Sequence, residues 1–190
     1  MKNIKFKTIH KTKIADTITP VGLYLRFRDK YANTLLLESS DYHSKNESFT
    51  FIAIEPVVSI KAENHHLSFS HKGVQVENQK IDRNFNQLFE EYSKRIDLDC
   101  PSTLKSFNGL YGYTTYDAVQ YFENIELTVE DAPSAIPLLQ YSFYRFIIAI
   151  NHFNDEMTLI ENIEEGTESR IKEIQTLIDA QAFNTYQFDI

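Results

Sequence analysis

Residues 48–77, SFTFIAIEPVVSIKAENHHLSFSHKGVQVE, decide the fold. They contain the runs SFTFIAI, VVSIKA, HLSFS and VQVE, separated by Glu55-Pro56, Glu63-Asn64 and Lys72-Gly73. Phe49, Phe51 and Ala53 alternate with Thr50, Ile52 and Ile54, the period-2 signature of strands. The breaks between the runs carry turn residues, so the segment reads as short strands in an antiparallel meander.

Helices flank this meander. Thr19-Pro20 is a helix start, with threonine able to cap free N–H groups and proline suited to the first helical position. Val21, Tyr24 and Phe27 follow at helical spacing, and the helix is expected to reach about Tyr31. Thr34 to Glu38 is then the first strong strand. Beyond the meander, Phe85, Leu88, Phe89, Tyr92 and Ile96 form one stripe, which predicts a helix from Asp82 to about Asp97 with Asp82 as its cap. FNGLYGYTTYDAVQYFENIE places Gly109 and Gly112 in an aromatic strand, where glycine marks a bulge or close backbone approach. A short helical pattern begins near Tyr116. A long hairpin with Asn154-Asp155 in its turn follows, and the last helix starts near Thr167. The fold class is α+β, a largely antiparallel sheet with packed helices, and residues 1–190 read as one continuous unit.

Composition limits the function. The formal net charge of −8, with 27 acidic against 19 basic residues, argues against a nucleic-acid partner, because phosphate binding needs a basic surface. Met1 to Lys13 carries five lysines interleaved with Ile4, Phe6 and Ile9; it reads as an edge strand, with no apolar stretch of signal-peptide length after it. No apolar run approaches the roughly 20 residues of a membrane helix. Cys100 is the single cysteine, which excludes an intrachain disulfide and a cysteine-based zinc site and fits a reducing cytoplasm.

Most chemical constellations read as structural. His65, His66 and His71 are turn histidines rather than a metal site. No nucleophile elbow or phosphate-binding glycine loop is present. Asp117, Glu123 and Glu126 suit a solvated helix face, with Asp117 able to cap a helix start. The stretch LLLESSDYHS, residues 35–44, stands apart: three leucines announce a buried strand, and Glu38, Ser39 and Ser40 follow directly. A carboxylate in that setting needs a partner, since an unpaired buried charge costs several kcal/mol. In a regular strand Leu35, Leu37 and Ser39 share one face and Leu36, Glu38 and Ser40 the other. One resolution is structural, with Glu38 capping backbone or pairing with Arg26 or Arg28; the other is a ligand.

TPVGLYLRFRDKYANTLLLESSDY resembles the N-terminal segment of anthranilate synthase component I, the chorismate-using subunit of tryptophan biosynthesis. FNGLYGYTTYDAVQYFE is similar to that family's glycine-aromatic block, with Asn108 where the family has its first glycine, and IPLLQYSFYRFIIAINHFNDEMTLI resembles the strand pair that follows. The resemblance implies the N-terminal part of that fold and a regulatory region, with the C-terminal chorismate-binding region, its Mg²⁺ ligands and its acid-base residues lying outside these 190 residues. It implies no catalytic residue and no metal site in this chain. It also implies an L-tryptophan feedback site using Leu37, Glu38, Ser39 and Ser40, completed by the C-terminal region, and a glutamine amidotransferase subunit (component II) as partner. Two other readings stay open: a free-standing amino-acid-binding module, and the N-terminal region of para-aminobenzoate synthase component I.

Overall fold

The computed structural model describes residues 3–38, 48–123, 125 and 136–180. Nine strands and three α-helices lie among them: β1 (Ile4–Ile14), α1 (Pro20–Arg28), β2 (Leu35–Glu38), β3 (Phe49–Glu63), β4 (His66–His71), β5 (Val74–Lys80), α2 (Phe85–Ser93), β6 (Ile96–Asp99), β7 (Leu110–Thr114), β8 (Leu139–Asn151), β9 (Glu156–Glu164) and α3 (Ile171–Asp179). The strands form one mixed, mostly antiparallel sheet in the order β5-β4-β3-β8-β9-β1-β6, with β2 also on β3 and β7 also on β8.

The long pair β3–β8 organises everything else. Along one edge of β3, β2 pairs with residues 50–53 and β4 with residues 58–63. Along the outer edge of β8, β7 pairs with residues 139–143 and β9 with residues 146–150. The sheet is therefore two halves that share one ribbon, and the division falls at a register shift between Pro56 and Val58. SFTFIAI and VVSIKA, expected as separate strands, are one strand of 15 residues. Pro56 is accommodated because it sits at the bulge, where its missing N–H costs no ladder bond. Glu55 before it adopts φ 63°, a conformation uncommon outside glycine and asparagine.

Each half-sheet is covered by helix. Under the first, Phe85, Leu88 and Tyr92 of α2 pack on Val58, Ile60, Leu67 and Phe69. Under the second, Leu23 and Phe27 of α1 and Ile171, Ile174 and Ile178 of α3 pack on Ile52, Ile54, Phe146 and Ile148. Each of these isoleucines contributes about 1.5–3 kcal/mol by leaving water. The opposite face of the second half carries Ala53, Tyr144, Ile147 and Ile160 beneath Leu104, so β3 and β8 are apolar on both sides there.

Four local expectations need correction. Thr19 occupies the cap position of α1, with Pro20 at the first helical turn, but its side chain makes no capping hydrogen bond. α2 ends at Ser93, and Ile96 reaches the same core from β6, which pairs in parallel with β1. Asp82 does not cap α2; Asn84 holds that position. β1 is interior, with β9 along one side and β6 along residues 4–7 of the other. The expectation for Gly112 holds: a Cβ there would lie 1.9 Å from the Gln140 carbonyl oxygen, so β7 can approach β8 only as glycine. Among the described residues no helix is long and apolar enough to cross a membrane.

Candidate ligand site at the end of β2

β2 pairs antiparallel with β3, setting Leu35 opposite Ala53, Leu36 opposite Ile52, Leu37 opposite Phe51 and Glu38 opposite Thr50. Residues directly opposite share a face. Leu36 packs into the helix-covered core, and Leu35 packs into the cluster on the other face. Burial stops there. Leu37 is 37% exposed, and Glu38 is exposed to solvent. The strand is only half-buried because, among the described residues, it has a neighbour on one edge alone. The desolvation cost expected for Glu38 is therefore absent, and water can solvate its carboxylate.

The faces beside these two residues differ in chemistry. Opposite Leu37, Phe51 belongs to an aromatic group in which Phe49–Phe107 ring centroids are 5.1 Å apart and Phe51–Tyr111 centroids 5.8 Å apart. The Tyr111 hydroxyl donates to the Phe107 carbonyl, and burial pushes its pKa up, so it stays neutral. Opposite Glu38, Thr50 is fully buried, and its hydroxyl lies 2.7 Å from His152 Nε2. Leu37 and Glu38 thus sit side by side at a strand end but on opposite faces, so only a ligand that crosses the strand end can meet both. Ser39 and Ser40 lie outside the described residues.

The arginines considered as partners of Glu38 have contacts elsewhere. Arg26 donates to the carbonyl of Ala180, and Arg28 lies 3.3 Å from the Asp29 carboxylate. The turn histidines are also accounted for: His66 Nδ1 is 2.8 Å from the Asn64 carbonyl, and His71 Nε2 is 3.2 Å from Glu164. Among the described residues no three His, Cys, Asp or Glu side chains gather to hold a metal ion.

Two polar clusters were not anticipated from the sequence. Glu161 is completely buried; it accepts from Arg145 Nη2 at 2.9 Å, Ser169 Oγ at 2.6 Å and the Arg170 N–H at 2.8 Å. Arg170 in turn binds Glu55 and Glu173, and the Tyr31 hydroxyl donates to Glu173 at 2.6 Å. Hydrogen bonds from Arg170 and then Tyr31 hold the Glu173 carboxyl down to about 2, and burial, with Glu173 next, pushes Tyr31 up to about 12. In the second cluster Asn108 and Asn162 exchange amide hydrogen bonds of 2.8 and 2.9 Å, and Thr8 donates to Asn162 at 2.8 Å. Asn108 has an ordinary φ of −128°, so this turn does not require glycine. The signal for the first cluster was present: Arg145 and Glu161 are lone charges inside apolar strand runs, and buried charges require partners.

No family model matches the chain. It is 28% identical over 166 residues to anthranilate synthase component 1 of Lactococcus lactis, covering 87% of this chain and 34% of that one. The enzymes of the same name from Pseudomonas putida and Methanothermobacter thermautotrophicus are 25% and 23% identical, over 85% and 84% of this chain and 33% and 31% of theirs. The crystal structure of anthranilate synthase component I from Streptococcus pneumoniae aligns with a TM-score of 0.49 at 23% identity, over 87% of this chain and 34% of that one. The chain spans about a third of the length of the curated relatives it matches. Over most of its own length, then, this chain is similar to anthranilate synthase component I.

Proposed function

We propose that the chain is the N-terminal regulatory region of an anthranilate synthase component I and that it supplies part of an L-tryptophan feedback site. The observation that carries this reading is the similarity, over 87% of the chain, to an enzyme of that name. The complete enzyme would convert chorismate and ammonia to anthranilate, pyruvate and water, with the ammonia released from glutamine by a component II amidotransferase. Mg²⁺ would supply charge stabilisation in the chorismate-binding region, outside the residues described for this chain.

At the end of β2, the exposed Glu38 carboxylate accepts hydrogen bonds from the tryptophan ammonium group. A charge-assisted bond of that kind is roughly twice as strong as a neutral one. Leu37 and the aromatic face around Phe51 offer apolar surface to the indole, and Ser39 and Ser40 complete the polar contacts. The ligand lies across the strand end, which suits the opposed directions of Leu37 and Glu38. Inhibition then requires tryptophan to bind the inactive arrangement of the enzyme more tightly than the active one.

The test is Ser39→Ala in the full-length enzyme, assayed for anthranilate formation across a tryptophan series. The half-inhibitory concentration is expected to rise roughly tenfold, the loss of one hydrogen bond to a charged ligand, with uninhibited turnover preserved. Unchanged inhibition would move the feedback site away from this stretch.

A further inference from the structure

The bulge in β3 opens a cleft of about 290 Å³ in a different part of the molecule from the end of β2. Glu55 lies five residues along β3 from Thr50, about 16 Å at strand rise. Four charged side chains line the cleft, Glu55, Lys72, Arg145 and Glu164, above an apolar floor that includes Phe6 and Val57. Two are positive and two negative. The local backbone is shaped to hold them there: Glu55 adopts its positive φ at the bulge, and the tight turn at Lys72-Gly73 is tied to β3 by the Lys72 N–H donating to the Val57 carbonyl at 2.7 Å. Uncommon backbone conformations persist where the surroundings fix them, and they concentrate at binding sites.

The hydrogen bonding within this group is incomplete in a directed way. Arg145 spends Nε and Nη2 on Glu161 and the Glu168 carbonyl. Among the described residues its Nη1 pairs with Glu55 alone, at 3.8 Å, beyond hydrogen-bond length. Glu164 receives both His71 and Lys72 on Oε2, at 3.2 and 2.8 Å, and Oε1 carries no hydrogen bond among the described residues. Lys72 is 55% exposed and has N–H donors beyond the one used on Glu164. Burial pushes the Glu164 carboxyl up, but the bonds from Lys72 and His71 outweigh it and keep the group ionised. Glu55 already accepts from Arg170 Nη1 on both oxygens, at 3.0 and 2.8 Å, so Arg145 Nη1 and Lys72 offer the cleft donors, Glu164 Oε1 is its open acceptor, and the remaining lone pairs of Glu55 lie beside it.

We propose that the cleft at the β3 bulge binds a small zwitterion, an α-amino acid with a compact side chain, its carboxylate on Arg145 Nη1 and Lys72 and its ammonium on Glu164 Oε1 and Glu55. A simple anion is repelled by two carboxylates and a simple cation by two basic groups, so charge complementarity selects the ligand that carries both signs. The volume lies just below the roughly 300–1,000 Å³ usual for ligand sites, which suits a small ligand such as an amino acid. The apolar floor accepts a methyl group. This site stands independently of the tryptophan reading.

The experiment is an amide NMR titration of the protein with L-alanine, sodium acetate and methylammonium chloride in parallel. L-Alanine is expected to give saturable shifts at Val57, Lys72 and Glu164, with either half-ligand weaker by roughly tenfold or more. Lys72→Met removes a donor from an exposed turn without touching the buried Arg145–Glu161 pair, and it should weaken L-alanine binding by roughly tenfold. The proposal is overturned if L-alanine produces no saturable shift in the cleft or shifts only Leu36 to Glu38. It is also overturned if acetate binds as tightly as L-alanine, or if Lys72→Met leaves the affinity unchanged.

Discussion

Glu161 shows what a single residue can decide here. It is buried completely in β9 and is bonded to Arg145 of β8, to the Ser169 hydroxyl and to the Arg170 N–H at the start of α3. Removing it would leave the Arg145 guanidinium, 13% exposed, without its strongest partner and α3 without its anchored start. Breaking one side of such a pair costs about 3–5 kcal/mol, because the remaining charge stays buried. Glu161→Ala is therefore expected to lower the unfolding free energy by about that amount in urea denaturation. A loss below roughly 1 kcal/mol would mean that water reaches Arg145 and the pair behaves like a surface one. Glu38 is the contrasting case: its exposure at an edge strand makes it cheap to keep and available to a ligand.

Among the elements, α3 is fastened through Glu173 to Tyr31, just beyond α1, and through Arg170 to Glu55 of β3, and the Glu173 contact depends on pH in a defined direction. Glu173 titrates near 2 in the fold, held down by Arg170 and then Tyr31, against about 4.3 for an unperturbed glutamate. A depressed carboxylate contributes stability that is complete above the unfolded value and lost as pH falls toward the folded one. The side chain is 46% exposed, so solvent screening limits the contribution to about 1 kcal/mol or less. The urea midpoint should thus fall between pH 5 and pH 2 by more in the wild type than in Glu173→Gln, with the two curves converging near pH 2. Parallel curves would show that the contact does not secure α3. Elements whose pattern is local were legible in the sequence. Phe49 to Ile54 alternates, Ile171, Ile174 and Ile178 form a stripe, and Gly112 marks the close approach of β7 to β8. Elements decided by distant partners were not. Ile96 continues the α2 stripe by spacing, but parallel pairing with β1 draws it into a strand, and Pro56 looks like a break until β8 bridges the bulge. At the candidate site the residue types were legible, whereas the exposure of Glu38 followed from β2 pairing on one side alone among the described residues.

In the molecule as a whole, one two-stranded ribbon carries two half-sheets, and the buried Arg95 and the partly buried Arg145 and Arg170 are engaged with carboxylates of the same chain. Arg95 binds Glu77 and Glu91, Arg145 binds Glu161, and Arg170 binds Glu55 and Glu173. The chain carries a formal net charge of −8. Chorismate carries two carboxylates, and a site for it needs cations and donors that converge where negative charge sits. The cleft at the β3 bulge offers the reverse: where Lys72 and Arg145 meet, Glu55 and Glu164 line it as well, a balance that suits a zwitterion better than a dianion. These 190 residues, supplied with chorismate, ammonia and Mg²⁺, are accordingly expected to form no anthranilate above a protein-free blank, followed by anthranilate fluorescence. Turnover above that blank would require a chorismate site within this chain and would overturn the reading of it as a regulatory region.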